Sequence, residues 1–218
     1  AILNSVSNKT RLIFLCNPNN PTSTAYTSNE LSKLISKLPE DVIVVVDEAY
    51  IDFTDDANSV TMVPYLKQFP NMIVVQTFSK LYGMAGVRLG YAIACKEVIT
   101  YLNKTVAARS MSTIAIEGGI AALNDDEFRI KTIKTIRNER KRLTDELRSM
   151  GYRCFDSQSN FLYADLGVTP QNLYFLLLPY GVMIRGDFPM TRITIGTPPQ
   201  NNLLLSAIQD LRVKGKLS

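Results

Sequence analysis

Seven side chains could do chemistry together. Asn20, Asp47, Tyr50, Thr77, Ser79, Lys80 and Arg88 supply an amide, a carboxylate, a phenol, two hydroxyls, an amine and a guanidinium. Four of them fall in one stretch, QTFSKLYGMAGVRLGY (Gln76–Tyr91), which sets Lys80 in an otherwise apolar, small-residue run. A lysine amine can condense with an aldehyde and afterwards carry a proton. A carboxylate can keep a pyridine nitrogen protonated, which turns the ring into an electron sink. A phenol and an amide can hydrogen-bond a ring hydroxyl, and hydroxyls with a guanidinium suit a phosphate. Each residue also has an ordinary explanation. Lys80 could be a surface charge, Asp47 a helix cap or magnesium ligand, Tyr50 a rim residue, Asn20 turn chemistry and Arg88 the partner of a nearby acid.

The elements that must position these groups can be read from pattern. RLIFLC (Arg11–Cys16) is a short apolar run stopped by NPNNPTST, where Asn and Pro mean a loop. TSNE (Thr27–Glu30) is a capping box. Leu31, Leu34, Ile35 and Leu38 follow at helical spacing and predict a helix over Thr27 to Leu38. Val42–Val46 is a β-branched run without alternation, as in a parallel strand covered on both faces. NMIVVQTF (Asn71–Phe78) repeats it, and RLGYAIAC (Arg88–Cys95) is a fourth strand candidate. This is an α/β plan with a mostly parallel sheet. In such sheets ligands gather outside the carboxyl ends of the strands. Asn17–Asn20, then Asp47, Glu48 and Tyr50, then Thr77, Ser79 and Lys80 all fall at such exits. An aldehyde, a pyridine nitrogen, a ring hydroxyl and a phosphate together describe pyridoxal phosphate.

From about Ser112 the texture becomes helical. Ile130, Ile133, Ile136, Leu143 and Leu147 mark a long amphipathic helix with Gly151 as its C′ residue. Then NFLYADL, a helix around Leu173–Leu178, GVMIR, TRITIG and a closing helix over NNLLLSAIQDL form a smaller α+β unit. The expected division is 1–125, part of a large α/β domain, and 126–218, a small C-terminal domain.

Composition narrows the classes. The 218 residues are 46% hydrophobic with a net charge of +4 and no basic tract, so no nucleic-acid partner is expected. RNERKR (Arg137–Arg142) is read as the wet face of a helix. Cys16, Cys95 and Cys154 are odd in number with no CxxC, which argues against a disulfide framework and a zinc site. The absence of histidine excludes Ser-His-Asp and Cys-His catalysis and histidine metal sites. No metal is expected. No apolar run reaches the roughly 18 residues of a membrane span. No signal-peptide pattern opens the chain, so a cytoplasmic protein is expected.

NPNNPT, DEAYIDF and TFSKLYGMAGVRLGY, in this order, resemble the motifs of fold-type I pyridoxal-phosphate aminotransferases of the class I/II group, and DEAYIDF resembles the histidinol-phosphate branch. The resemblance runs over essentially the whole chain, to RITIGTPPQ. It implies that Lys80 joins the cofactor aldehyde and moves the proton between C4′ and the substrate Cα. Asp47 would pair with the pyridine nitrogen. Tyr50 and Asn20 would bond the ring hydroxyl, and Thr77, Ser79 and Arg88 would hold the phosphate. Arg192, and Arg185 in MIRGD, would bind the substrate's anionic group, which in this branch is a phosphate.

The implied reaction transfers an amino group between histidinol phosphate and 2-oxoglutarate, in a cytoplasmic homodimer of histidine biosynthesis. The alternatives are an aromatic aminotransferase or threonine-phosphate decarboxylase of the same fold, separated by the surroundings of Arg185, Arg192 and Asn160, or a non-catalytic fragment. Two departures stand out. Ser23 sits where the family usually has glycine, at a position that favours positive φ in many turns. Family members also carry an N-terminal segment ahead of the point matching Ala1, with a phosphate-cradling loop and a tyrosine for the partner subunit, so an N-terminally truncated chain is expected.

Overall fold

The structure, a computed structural model, describes residues 2–105 and 111–217. The chain forms two compact units, one of Ala1–Pro18 with Ala25–Ile130 and one of Asn19–Thr24 with Lys131–Ser218.

In the first unit α1 (Ile2–Ser5) precedes β1 (Leu12–Cys16), α2 (Ser28–Ile35), β2 (Ile43–Asp47), β3 (Met72–Thr77), β4 (Gly90–Ala94), α3 (Lys96–Thr105) and α4 (Thr113–Leu123). The sheet order is β1-β2-β3-β4. The first three strands are parallel and β4 is antiparallel to β3. The capping box forms as the sequence predicts. The Thr27 hydroxyl accepts from the Glu30 N–H, and the Glu30 carboxylate accepts from the Thr27 N–H at 2.8 Å. The helix is shorter than expected, and turn hydrogen bonds carry the chain on to Leu38. Leu31 and Ile35 pack with Leu15, Val44, Val46, Met72 and Val74 against one face of the sheet. Val44 and Val46 are fully buried, worth on the order of 1.5–3 kcal/mol each in area removed from water.

The long helix α5 (Asp126–Ser149) crosses the division between Ile130 and Lys131. It ends in a Schellman turn at Gly151, φ +93°, with Tyr152 N–H to the Leu147 carbonyl at 3.0 Å and Gly151 N–H to the Arg148 carbonyl at 2.9 Å. The second unit continues with β5 (Arg153–Cys154), β6 (Phe161–Asp165), α6 (Pro170–Leu177), β7 (Thr191–Thr194) and α7 (Pro198–Val213). Its antiparallel sheet, β5-β6-β7, is backed by Leu143, Leu147, Leu162, Leu173, Ile193 and Ile208. Among the described residues no helix is long and apolar enough to cross a membrane.

GVMIR belongs to the α+β unit without a strand of its own; among the described residues its contact of that kind is an isolated antiparallel bridge between Arg185 and Arg192. Val182 and Ile184 are apolar because they pack on the second core, not because they join a ladder. RNERKR is not a uniformly wet face. Glu139 and Arg140 are buried. Arg140 donates to the Ser159 carbonyl at 3.0 Å, and Glu139 accepts from Arg142 at 2.6 Å and from the Asn201 amide at 2.7 Å. A buried charge is tolerated only with such partners.

Ser23 adopts φ +63° and is fully buried. Its N–H donates to the Asn19 carbonyl at 2.8 Å, and its carbonyl accepts from Gln158 N–H at 2.7 Å. The left-handed conformation costs about 1–2 kcal/mol for a residue with a Cβ, while its hydroxyl bond to the Thr22 carbonyl at 2.5 Å returns about 1 kcal/mol. Ser23→Gly should therefore leave stability within about 1 kcal/mol of the parent. Ser23→Val, β-branched and without the hydroxyl, should lose more than about 2 kcal/mol. Thermal melts would then separate the two variants by several degrees; equal melting temperatures would contradict the backbone argument.

Candidate functional site

Parallel register places the exits of β1, β2 and β3 at one edge of the sheet. Cys16 pairs with Asp47, and Asp47 with Val75. Because β4 runs the other way, its beginning meets the end of β3, with Thr77 opposite Gly90. Arg88, two residues ahead of Gly90, is thereby returned to the same edge. An open cleft of about 380 Å³ lies there, lined by Asp47, Ala49, Val75, Gln76, Thr77, Ser79, Lys80, Ala85 and Arg88.

The local geometry fixes these groups. Asp47 Oδ1 accepts from Ala49 N–H at 3.0 Å, which turns the chain out of β2. Lys80 Nζ lies 5.2 Å from the centroid of the Tyr50 ring, in cation–π range. Thr77 Oγ1 accepts from Ser79 N–H at 3.0 Å. Arg88 has φ +61°, and its Nη1 donates to the Ala85 carbonyl at 2.7 Å. An arginine held in the left-handed region beside a cleft is the kind of strain that clusters at functional sites.

Of the residues named from sequence, Asp47, Tyr50, Thr77, Ser79, Lys80 and Arg88 therefore come together in the first unit. Asn20, Arg185 and Arg192 belong to the second. There Arg192 Nη1 donates to Asn20 Oδ1 at 3.1 Å. The Arg192 guanidinium carbon lies 4.8 Å from the Phe161 ring centroid and 5.5 Å from that of Phe188. Its Nε is buried with no hydrogen-bond partner among the described residues. An orphaned buried donor calls for an explanation, and an anion meeting the guanidinium is one.

Glu48 was legible only as a strand-end acid. It is 1% exposed and accepts from Met62 N–H at 2.6 Å, Gln76 Nε2 at 2.8 Å and Thr61 Oγ1 at 2.9 Å. Gln76 Oε1 in turn accepts from the Tyr91 hydroxyl at 2.5 Å. The chain Glu48–Gln76–Tyr91 ties the ends of β2 and β3 to the start of β4. Phe161 and Phe188 were also missed, because no local pattern marks an aromatic as the wall of an arginine.

The aminotransferase class I and II family matches residues 1–208. The chain belongs to that family. It is 36% identical over 217 residues to a histidinol-phosphate aminotransferase of Brevibacillus brevis, covering 97% of this chain and 59% of that protein. It is 37% identical over 215 residues to an aromatic amino acid aminotransferase of Streptomyces coelicolor, with the same two coverages. The chain thus spans about three-fifths of the length of these relatives. In structure it is similar to histidinol-phosphate aminotransferase from Sinorhizobium meliloti in complex with pyridoxal-5′-phosphate. The TM-score is 0.83 at 28% identity, over 92% of this chain and 58% of that one.

Burial pushes the Glu48 carboxyl above its ordinary value of 4.5, against the opposing pull of its hydrogen bonds from Met62, Gln76 and Thr61. The folded chain then holds the Glu48 proton more tightly than the unfolded chain. That contribution to stability is fully present below pH 4.5 and is lost as pH rises through the raised value. Glu48→Gln, which cannot ionise, should therefore show a smaller decline in stability between pH 5 and pH 8 than the parent, measured by urea unfolding. An equally steep decline would contradict the assignment.

Proposed function

We propose that this chain is the lysine-bearing part of a pyridoxal-phosphate-dependent aminotransferase of the histidinol-phosphate type. The observation that carries the reading is the cleft at the exits of β2 and β3, lined by Asp47, Thr77, Ser79, Lys80 and Arg88. Its donor set fits pyridoxal phosphate: an amine for the aldehyde, a carboxylate for the ring nitrogen, and hydroxyls with a guanidinium for the phosphate. When bound, that cofactor supplies an electron sink for the bonds at the substrate Cα.

The residues would divide the work. Asp47 would hold a proton on the ring nitrogen, where an ionised carboxylate and the cationic nitrogen stabilise each other. Tyr50 and Asn20 would orient the ring through its hydroxyl. Thr77, Ser79 and Arg88 would fix the phosphate by charge-assisted hydrogen bonds. The Lys80 amine would take the proton from the substrate Cα and return it at C4′, acting as base and then as acid. Arg192 and Arg185 would receive the substrate's anionic group. We assign histidinol phosphate as amino donor and 2-oxoglutarate as acceptor, in a cytoplasmic homodimer of histidine biosynthesis. The likeness to the Streptomyces coelicolor enzyme supports an aromatic amino acid as the second reading.

Lys80→Ala should abolish the cofactor's lysine-dependent visible absorbance and leave the unfolding transition of the protein intact. A Lys80→Ala protein that kept the band would sink the assignment. Ratios of kcat/KM for histidinol phosphate and phenylalanine decide between the two substrate readings.

A further inference from the structure

The second unit holds a charged group that the function above does not use, Asp187, set between two arginines that it does use. Arg185 and Arg192 face each other across an isolated antiparallel bridge. Directly opposed residues project to the same side of such a pair, and like charges there repel. The loop between them supplies its own counter-charge. Arg185 Nε donates to Asp187 Oδ1 at 2.9 Å, and Arg185 Nη2 donates to Asp187 Oδ2. This is a two-pronged fork, and it uses the donors with which an arginine takes two oxygens of a phosphate. The hydrogen bond from Arg185 holds the Asp187 carboxyl below its ordinary range, and the Arg192 charge adds to the effect.

The loop is packed closely at Gly186. At Gly186 a Cβ would come within 3.2 Å of Gln171 Cα and 3.4 Å of Gln171 N, so its backbone runs hard against the start of α6. The Phe188 ring lies 5.2 Å from the Arg185 guanidinium carbon and 5.5 Å from that of Arg192, walling both cations. Two arginines and one aspartate leave the cluster with one net positive charge. That matches a carboxylate. A phosphate ester carries close to two negative charges above its second pKa of about 6.

We propose that Asp187 is a specificity-determining residue. It occupies Arg185 as a built-in counter-anion that a phosphate ester must displace, whereas a carboxylate held by Arg192 leaves it in place. The proposal rests on the reading that these arginines receive the substrate's anionic group. The ion pair is more than half exposed at both side chains, so water and salt screen it and displacement is feasible. It acts as a filter on substrate charge.

The test uses phenyl phosphate and phenylacetate, which share a ring and carry no amine to react at the cofactor. Their dissociation constants are measured calorimetrically at pH 8 for the cofactor-loaded parent and for Asp187→Asn, Arg185→Ala, Arg192→Ala and the double variant Asp187→Asn/Arg185→Ala. Asp187→Asn should tighten phenyl phosphate about fivefold, an amount in keeping with an exposed ion pair. It should change phenylacetate less than about twofold, and the gain should vanish when Arg185→Ala is added. If Asp187→Asn leaves phenyl phosphate unchanged or weakens it while Arg185→Ala weakens it, Asp187 merely orients Arg185 and the proposal falls with the reading intact. If neither Arg185→Ala nor Arg192→Ala affects either ligand, the reading itself falls and takes the proposal with it.

Discussion

Parallel pairing of β2 with β3 is the constraint on which the candidate site depends. It sends both strands out of the sheet at the same edge, with Asp47 in register with Val75. Two residues past Val75 the chain reaches Thr77, then Ser79 and Lys80. A carboxylate and an amine 33 positions apart in sequence are thereby brought to one cleft. The reversal at β4 adds the guanidinium of Arg88 from the other direction. Rigid elements of this kind position reacting groups more accurately than loops.

The buried Glu48 carboxyl secures that edge. Its acceptors take a backbone N–H from the segment after β2 and a side-chain amide from β3, and Gln76 passes the link on to Tyr91 of β4. A buried carboxyl is costly unless each acceptor is used. Here that cost is met by ties that fix the ends of β2 and β3 and the start of β4 to one another. The Asp47 carboxylate, its immediate neighbour, accepts from the Ala49 N–H at 3.0 Å and lines the cleft. One acid of the pair thus serves the fold while the other faces the cleft.

Much of this was legible in the sequence because it rests on local rules. The β-branched run at Val42–Val46 and the capping box at Thr27–Glu30 each specify their element with little help from elsewhere. The glycine-like position of Ser23 was readable only through the resemblance, because the family usually has glycine there. What escaped depends on packing between distant segments. Nothing near Arg140 announces the Ser159 carbonyl that makes it a buried residue, so the run Arg137–Arg142 looked uniformly wet. GVMIR has the residues of a strand, but its apolar pattern serves the second core. The Arg185–Asp187 fork needed the fold of the loop as well as the order of its residues, because many Arg-x-Asp pairs never meet.

We propose that Lys80, and no other lysine, meets an aldehyde whose phosphate its neighbours hold. The direct measurement is to add pyridoxal phosphate to the purified protein, reduce with borohydride and locate the modified lysine by mass. The account predicts a pyridoxyl group on Lys80 and on no other lysine. Labelling scattered over surface lysines, with Lys80 unmodified, would contradict it.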